Sequence, residues 1–473
     1  MTDSKSAKNN LQRSASNPAS TAAFKAAVEA NAAKSIANFT KPSLDVLNAT
    51  IPKYLQDMFK QQETVSRMFR SPKAPSFEVP KPPVSTAGYQ WSLPKEQWHQ
   101  LIVLGNGFDL ECGLHSRFID FAYPRFLKLK SWLNESFKNR NQSLHDYGLT
   151  IWDVILYYGP KNYWSDVESA IERWVAERDD DGETPCLRIS DRLNGQIFLS
   201  SSDTSKAEKS VMRFLSALPD APRIWTSSEV ANILLSELNK LEKAFSDYLR
   251  NEVDRNESYG QEARNLVNRM LVTELPDEDY YDVSDSLLDF NYTDPSIDAD
   301  KSSEPHAEEH PFPTLVNIHG SLKKNNIIFG IDGTKHMDEP DALPFTKTYR
   351  LLSLDNPDIA KLIQTQSPHG VGGSPTAMIK FYGHSLAQAD YAYFQAIFDG
   401  VDLYESQTRL IFFYRPWQKD DGTRISDAEA RADMSRKVAK LLSAYGATLD
   451  NKDHGKNLMH KLLIEGRLSV KTI

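Results

Sequence analysis

Two cysteines in 473 residues, Cys112 and Cys186, are too few for a disulfide framework or a four-cysteine zinc ribbon. Both therefore read as reduced thiols, and a cysteine-based metal site is excluded. No stretch approaches the roughly 18 apolar residues of a membrane span, and the first residues lack the apolar segment of a secretory signal. The expectation is a soluble, cytoplasmic protein without a membrane partner. Basic charge is also scarce in most of the chain. Of the net −9, residues 1–95 carry +7 from 13 basic against 6 acidic residues, which leaves −16 for the remainder. An acidic body without an aromatic and basic stripe disfavours a nucleic-acid partner.

What is present falls into three zones. Residues 1–71 are rich in Ala, Ser, Asn and Lys, with apolar spacing that suits short helices over 22–38 and 44–69, or a partly disordered extension. This arm could bind a partner or support a homo-oligomer, and its composition fits disorder equally well. Residues 72–95 contain Pro72, Pro75, Pro80, Pro82, Pro83 and Pro94 and read as a semi-extended linker. The globular body then runs over 96–473.

In the body, short apolar runs at 101–104, 287–290, 314–318, 326–329, 378–382 and 409–414 read as buried strands. Helical periodicity dominates between the first two, so a large helical insertion is expected over about 125–280. Two closing helices are expected at 426–445 and 456–468. Strands mixed with helices predict an α/β, doubly wound, Rossmann-like parallel sheet.

Ligands of such sheets bind beyond the carboxyl ends of the strands. Here those ends carry Gly105-Asn106-Gly107, Asn291-Tyr292-Thr293, His319-Gly320-Ser321, Gly330-Ile331-Asp332 and Gly383-His384-Ser385. Gly105 and Gly107 permit the close backbone approach that a phosphate needs, with a helix N-terminus following, although tight turns use glycine for geometry alone. Leu110 stands where a third glycine would complete G-x-G-x-x-G, which disfavours a hydride-transferring dehydrogenase.

Several residues admit two readings. Asp109 either caps the helix or contacts a ligand. Trp164 and Glu168 share a helix face, as a core Trp beside a polar edge or as substrate contacts. His384 is a second acid or base, or a turn residue. Asp332 binds a ribose hydroxyl or stabilises a turn, and Asp390 caps the next helix or neutralises His384. The acidic run 294–310 reads as a solvated loop, and its His306 and His310 are assigned no metal.

The motif Leu104-Gly-Asn-Gly-Phe-Asp-Leu-x-x-Gly-Leu114, with Phe118, Asp120 and Phe121, resembles the hallmark of the AbiH abortive-infection family of phage-defence proteins. Trp164-Ser-Asp-Val-Glu168, Phe290-Asn-Tyr-Thr293, Ile318-His-Gly320, Ile328-Phe-Gly-Ile-Asp332 and Tyr382-Gly-His-Ser-Leu386 follow in that family's order. The resemblance covers about residues 99–415. A more distant similarity, to sirtuin-like NAD-binding domains, implies a site made of Gly105, Asn106, Gly107, Asp109, Gly320, Asp332, Gly383, His384 and Ser385. It also implies that His319 acts as a base and Asn291 orients a water. Asn106 and Asp109 depart from the sirtuin first loop, and without zinc-ribbon cysteines protein deacetylation is disfavoured. The reaction implied is hydrolysis of the nicotinamide N-glycosidic bond of NAD, released by a phage-derived trigger and needing no metal. Two other readings stay open: a non-catalytic nucleotide-sensing module that signals to a partner, and a nuclease-type toxin.

Overall fold

The computed structural model describes residues 96–136, 143–160, 164–195, 204–276, 281–296, 312–354, 357–364, 376–419 and 422–473. The expected N-terminal arm and linker, and His306 and His310, lie outside these residues.

Strand β1 (Glu96–Leu104) is followed by α1 (Asn106–Glu111) and α2 (Phe118–Ser136). The insertion continues through α3 (Ile151–Tyr158), α4 (Trp164–Val175), α5 (Pro185–Leu193), α6 (Lys206–Ser216), α7 (Ser227–Arg255) and α8 (Tyr259–Val272). Then come β2 (Tyr281–Asp289), β3 (Thr314–Asn317), α9 (Lys347–Leu352), β4 (Thr376–Tyr382), α10 (Tyr391–Gly400), β5 (Arg409–Tyr414), α11 (Asp427–Thr448), α12 (Lys452–Ile464) and β6 (Leu468–Thr472).

The six strands form one sheet in the order β3-β2-β1-β4-β5-β6, and every neighbouring pair is parallel. This is the doubly wound, Rossmann-like order, with its reversal between β1 and β4. Both faces of β1 are covered. Leu101 and Val103 pack with α10, α11 and α12, whereas Ile102 and Leu104 pack with Phe108 and α8. That is why the strand is a continuous apolar run rather than an alternating one.

Caps explain several helix starts. Thr226 with Glu229 and Ser426 with Glu429 form reciprocal capping boxes at α7 and α11, and Thr184 with Pro185 opens α5. The insertion has its own core, in which Trp152, Ile171, Leu238 and Phe245 are buried.

Two sequence expectations are corrected. Residues 326–329 form no strand: Ile328 N–H donates to the His319 carbonyl and Phe329 N–H to the Glu242 carboxylate, so this apolar run is buried beneath α7 instead of joining the ladder. The closing segment does not remain helical to 468. α12 ends at Ile464, Gly466 turns the chain at φ +66°, and β6 pairs with β5.

At the reversal point the loops after β1 and β4 touch backbone to backbone. Gly105 N–H donates to the Tyr382 carbonyl at 3.0 Å and Gly107 N–H to the Gly383 carbonyl at 2.8 Å. Gly383 has φ +70°, and a Cβ there would lie 2.4 Å from the Phe108 nitrogen. Gly383→Ala is expected to cost about 2 kcal/mol or more, combining left-handed backbone strain with a clash against backbone. The urea midpoint measures this, and an unchanged midpoint would show that the two loops are not locked.

Candidate functional site

The polar residues at the carboxyl edge form two buried groups. The first joins the ends of β1, β2 and β3. Asp109 is 1% exposed and accepts from Tyr259 Oη at 2.9 Å and Thr293 Oγ1 at 3.0 Å. It does not cap α1, whose N-cap is Gly105, because it lies a turn further in and points across the sheet edge. Burial lifts its carboxyl to about 7, against the lowering effect of those two hydrogen bonds. Asp289 is likewise pushed well above the carboxylate range by burial and by Asp109. Its Oδ1 accepts from Asn291 N–H at 2.9 Å. Asn291 is 5% exposed and donates from Nδ2 to the Gly105 carbonyl at 3.1 Å, so it ties the end of β2 to the glycine turn. Asn317 Nδ2 donates to the Asn291 and Thr293 carbonyls.

The second group is built around Lys347. This lysine is the first residue of α9, where the helix dipole disfavours a cation, and it is nevertheless buried. Its ammonium lies 2.6 Å from Glu168 of α4 and 2.7 Å from Asp390, which precedes α10. Burial would lower the lysine, but the two carboxylates hold it above its ordinary value. Burial raises Glu168 to about 7 despite Lys347. Burial would also raise Asp390, yet Lys347 and the hydrogen bond from His384 hold it well below the usual range.

Asp390 makes no side-chain cap bond to α10, so of its two sequence readings the partnership with His384 is the one observed. His384 Nδ1 accepts from Leu386 N–H at 2.9 Å, which places the neutral ring's proton on Nε2, 3.4 Å from Asp390 Oδ2. His319 lies on the other side, with Nε2 at 3.9 Å from Asp390 Oδ1. That nitrogen is buried and has no hydrogen-bond partner. Burial, with Lys347 adding to it, lowers His319 to about 3, so the imidazole is neutral at physiological pH. The Phe290 ring stands edge-on between the two histidines, at 5.5 Å from His319 and 4.5 Å from His384. The Tyr393 hydroxyl, beside His319, is also buried and unpartnered.

The expected site residues thus divide. His319 and His384 share one carboxylate, while Asn291, Gly105, Gly107 and Gly383 meet at the loop junction. Asn106 accepts from Ser116 Oγ at 2.6 Å. Gly320 has φ +84° and its Cα faces the Asn326 carbonyl, where a Cβ would clash at 2.1 Å. Asp332 caps a short turn through Thr334, and Ser385 is exposed with its Oγ accepting from Ala387 N–H. Trp164 packs against Phe118, Phe245 and Phe329, so it is core, and Glu168 one turn on is the polar edge.

The sequence reading missed Lys347, Asp289 and Tyr393. The one available signal for Lys347 was a lysine directly after an N-cap threonine. Asp289 sits inside an apolar strand run, and that pattern already hinted at a buried carboxylate. Among the described residues no group of His, Cys, Asp and Glu has metal-binding geometry, and no helix is long and apolar enough to cross a membrane.

A parallel sheet of order β3-β2-β1-β4-β5-β6, with its titratable residues gathered at the carboxyl edge, defines a Rossmann-like α/β protein. The sequence comparison is more particular: residues 101–414 match the family described as bacteriophage abortive infection AbiH, and the chain belongs to that family. Its role accordingly lies in phage abortive infection. No match was found among curated proteins or among solved structures.

Two outcomes follow from this electrostatics. His319 protonates near 3 when folded and near 6.5 when unfolded, so below 6.5 the unfolded chain holds the extra proton. The contribution of neutral His319 is therefore complete above 6.5 and drains as pH falls towards 3, by up to about 1.4 kcal/mol per pH unit. His319→Gln should flatten the loss of stability between pH 6 and 4.5 in urea titrations, and an identical slope would show that His319 is not held neutral. Lys347→Met leaves two buried carboxylates without their cation and is expected to cost about 3–5 kcal/mol at pH 7.5. The deficit should narrow at pH 5.5, where Glu168 takes up a proton.

Proposed function

We propose that the protein binds NAD, or a related nucleotide, at the carboxyl edge of its sheet and hydrolyses the nicotinamide N-glycosidic bond, depleting an infected cell of NAD. The observation that carries this reading is His319 Nε2, a ring nitrogen of a neutral imidazole, desolvated and left without an internal partner. Desolvated polar atoms are nearly always paired, so one left unpaired calls for an explanation, of which a catalytic role is one.

In the reaction the C1′–N1 bond breaks with its electron pair passing to nicotinamide, which leaves as a neutral base without needing an acid. Water adds to the oxocarbenium carbon, and its proton passes to His319, which becomes an effective base once the loops part and water relieves the desolvation that holds it near 3. Asn291 retains its side-chain oxygen to orient that water, because its Nδ2 is committed to Gly105. Glu168 and Asp390 together outnumber the Lys347 ammonium, and such an excess favours positive charge developing on the ribose. Gly105, Asn106, Gly107, Asp109, Gly320, Asp332, Gly383, His384 and Ser385 surround the nucleotide in this reading. The sirtuin-like order of a glycine turn, an Asn, a His-Gly and a Gly-x-Ser along the strand ends supports it. A phage-derived trigger releases the activity.

A second reading, a sensor that binds the nucleotide without cleaving it, is favoured by closure. Asn291, His319 and His384 are 5–7% exposed, so a ligand enters only if the loops part. That opening would couple binding to the surface.

Incubation with NAD followed by chromatography separates the two. The hydrolase reading predicts nicotinamide and ADP-ribose from the wild type during phage challenge. The yield should fall at least about 100-fold for folded His319→Ala. Full turnover by that variant would remove His319 from the mechanism, and calorimetric binding without product would establish the sensor.

A further inference from the structure

Behind the strand-end cluster lies a cleft of about 310 Å³ between α7 and residues 325–328, closed at one side by α9. Its lining is unusual in what it offers to a ligand. Asn239, Asn325 and Asn326 each have the amide oxygen taken by a donor of the protein: Arg350 Nη2 at 2.8 Å, Arg250 Nη2 at 3.0 Å and Ser321 N–H at 2.9 Å. An amide fixed through its oxygen presents its NH₂ elsewhere, and none of these three finds an acceptor among the described residues. Ser246, 2% exposed, lines the same cleft with a hydroxyl that has no partner. Lys243 adds an exposed ammonium without an ion pair among the described residues.

Acceptors are correspondingly withheld. The one carboxylate in the lining, Glu242, is consumed by the Arg350 fork and by Phe329 N–H. Ile327, Ile328 and Leu354 supply an apolar wall. Arg350 also lines the cleft but is paired with Glu242, so the cleft combines one unpaired cation, three amide donors and a hydroxyl, with no free acceptor carboxylate. That set complements a compact group with several acceptor oxygens and negative charge.

We infer that this cleft is a second binding site, distinct from the strand-end cluster, for a small phosphorylated metabolite whose phosphoryl group faces Lys243 and the asparagine amides. Its volume accommodates a phosphoryl group and part of an attached sugar, near the small end of ligand sites, about 300 Å³. This site does not depend on NAD hydrolysis.

Titration calorimetry on the full chain at low salt, with inorganic phosphate and ADP as separate probes, tests the inference. Phosphate binding shows that the phosphoryl group suffices; ADP binding alone shows that the ester is needed, and either supports the site. Asn326→Asp and Asn239→Asp keep the acceptor that Ser321 or Arg350 requires but replace a donor with a negative charge. Each should weaken binding about tenfold or more while the melting temperature holds. Ser246→Ala should weaken binding without loss of stability, because the hydroxyl has no partner inside the fold. ADP affinity that is unchanged in both Asp variants, or lost instead in folded His319→Ala, would assign binding to the strand ends and overturn the inference. No heat from either probe with the wild type would overturn it as well.

Discussion

One buried ammonium holds together three parts of the chain that are far apart in sequence. Lys347 joins Glu168 of the helical insertion to Asp390 at the start of α10, and through Asp390 it reaches both histidines. A lysine so deep is tolerable only because two carboxylates offset its desolvation, and the carboxylates are tolerable only because of the lysine. The insertion is thereby fixed over the sheet edge by charge as well as by the aromatic contacts of Trp164. The same arrangement sets the protonation of its neighbours: Lys347 lies near enough to His319 to oppose a second positive charge there.

Much of the architecture was legible in the sequence because parallel strands covered on both faces leave uninterrupted apolar runs. β1, β2, β3, β4 and β5 were found that way. The run at 326–329 looked the same and is not a strand, since burial under α7 yields the identical apolar signal with a carboxylate replacing the ladder partner. β6 escaped notice because Leu468–Thr472 is a short edge strand of mixed apolar and polar residues, mostly half-buried, rather than an uninterrupted apolar run. Within the insertion the sequence periodicity marks helices at 118–137, 163–178, 205–218 and 227–251, whereas α3, α5 and α8 were not distinguished from the stretches around them.

The strand-end motifs gather at one edge of the sheet because the backbone must turn there, and glycine, asparagine and histidine mark such turns. Pairing was another matter. That His384 and His319 share Asp390, and that a lysine from a segment without any motif completes the group, depends on tertiary distances that no local spacing encodes. Asp109 illustrates the same limit: at the mouth of a helix it resembled a cap, yet its partners Tyr259 and Thr293 come from 150 and 184 residues away.

The strand order also governs how the chain can assemble. β1 pairs with β2 at Ile102 and Leu287, and with β4 at Leu101 and Ile379, so the central strand waits for partners made much later. During synthesis the insertion, rich in contacts between neighbouring helices, can organise first, while β1 remains unpaired until its distant neighbours emerge. Both histidines and Asp390 come together only when β4 docks. An incomplete chain therefore carries separate pieces of the cluster without its geometry, and the group of histidines around Asp390 exists only in the fully assembled sheet.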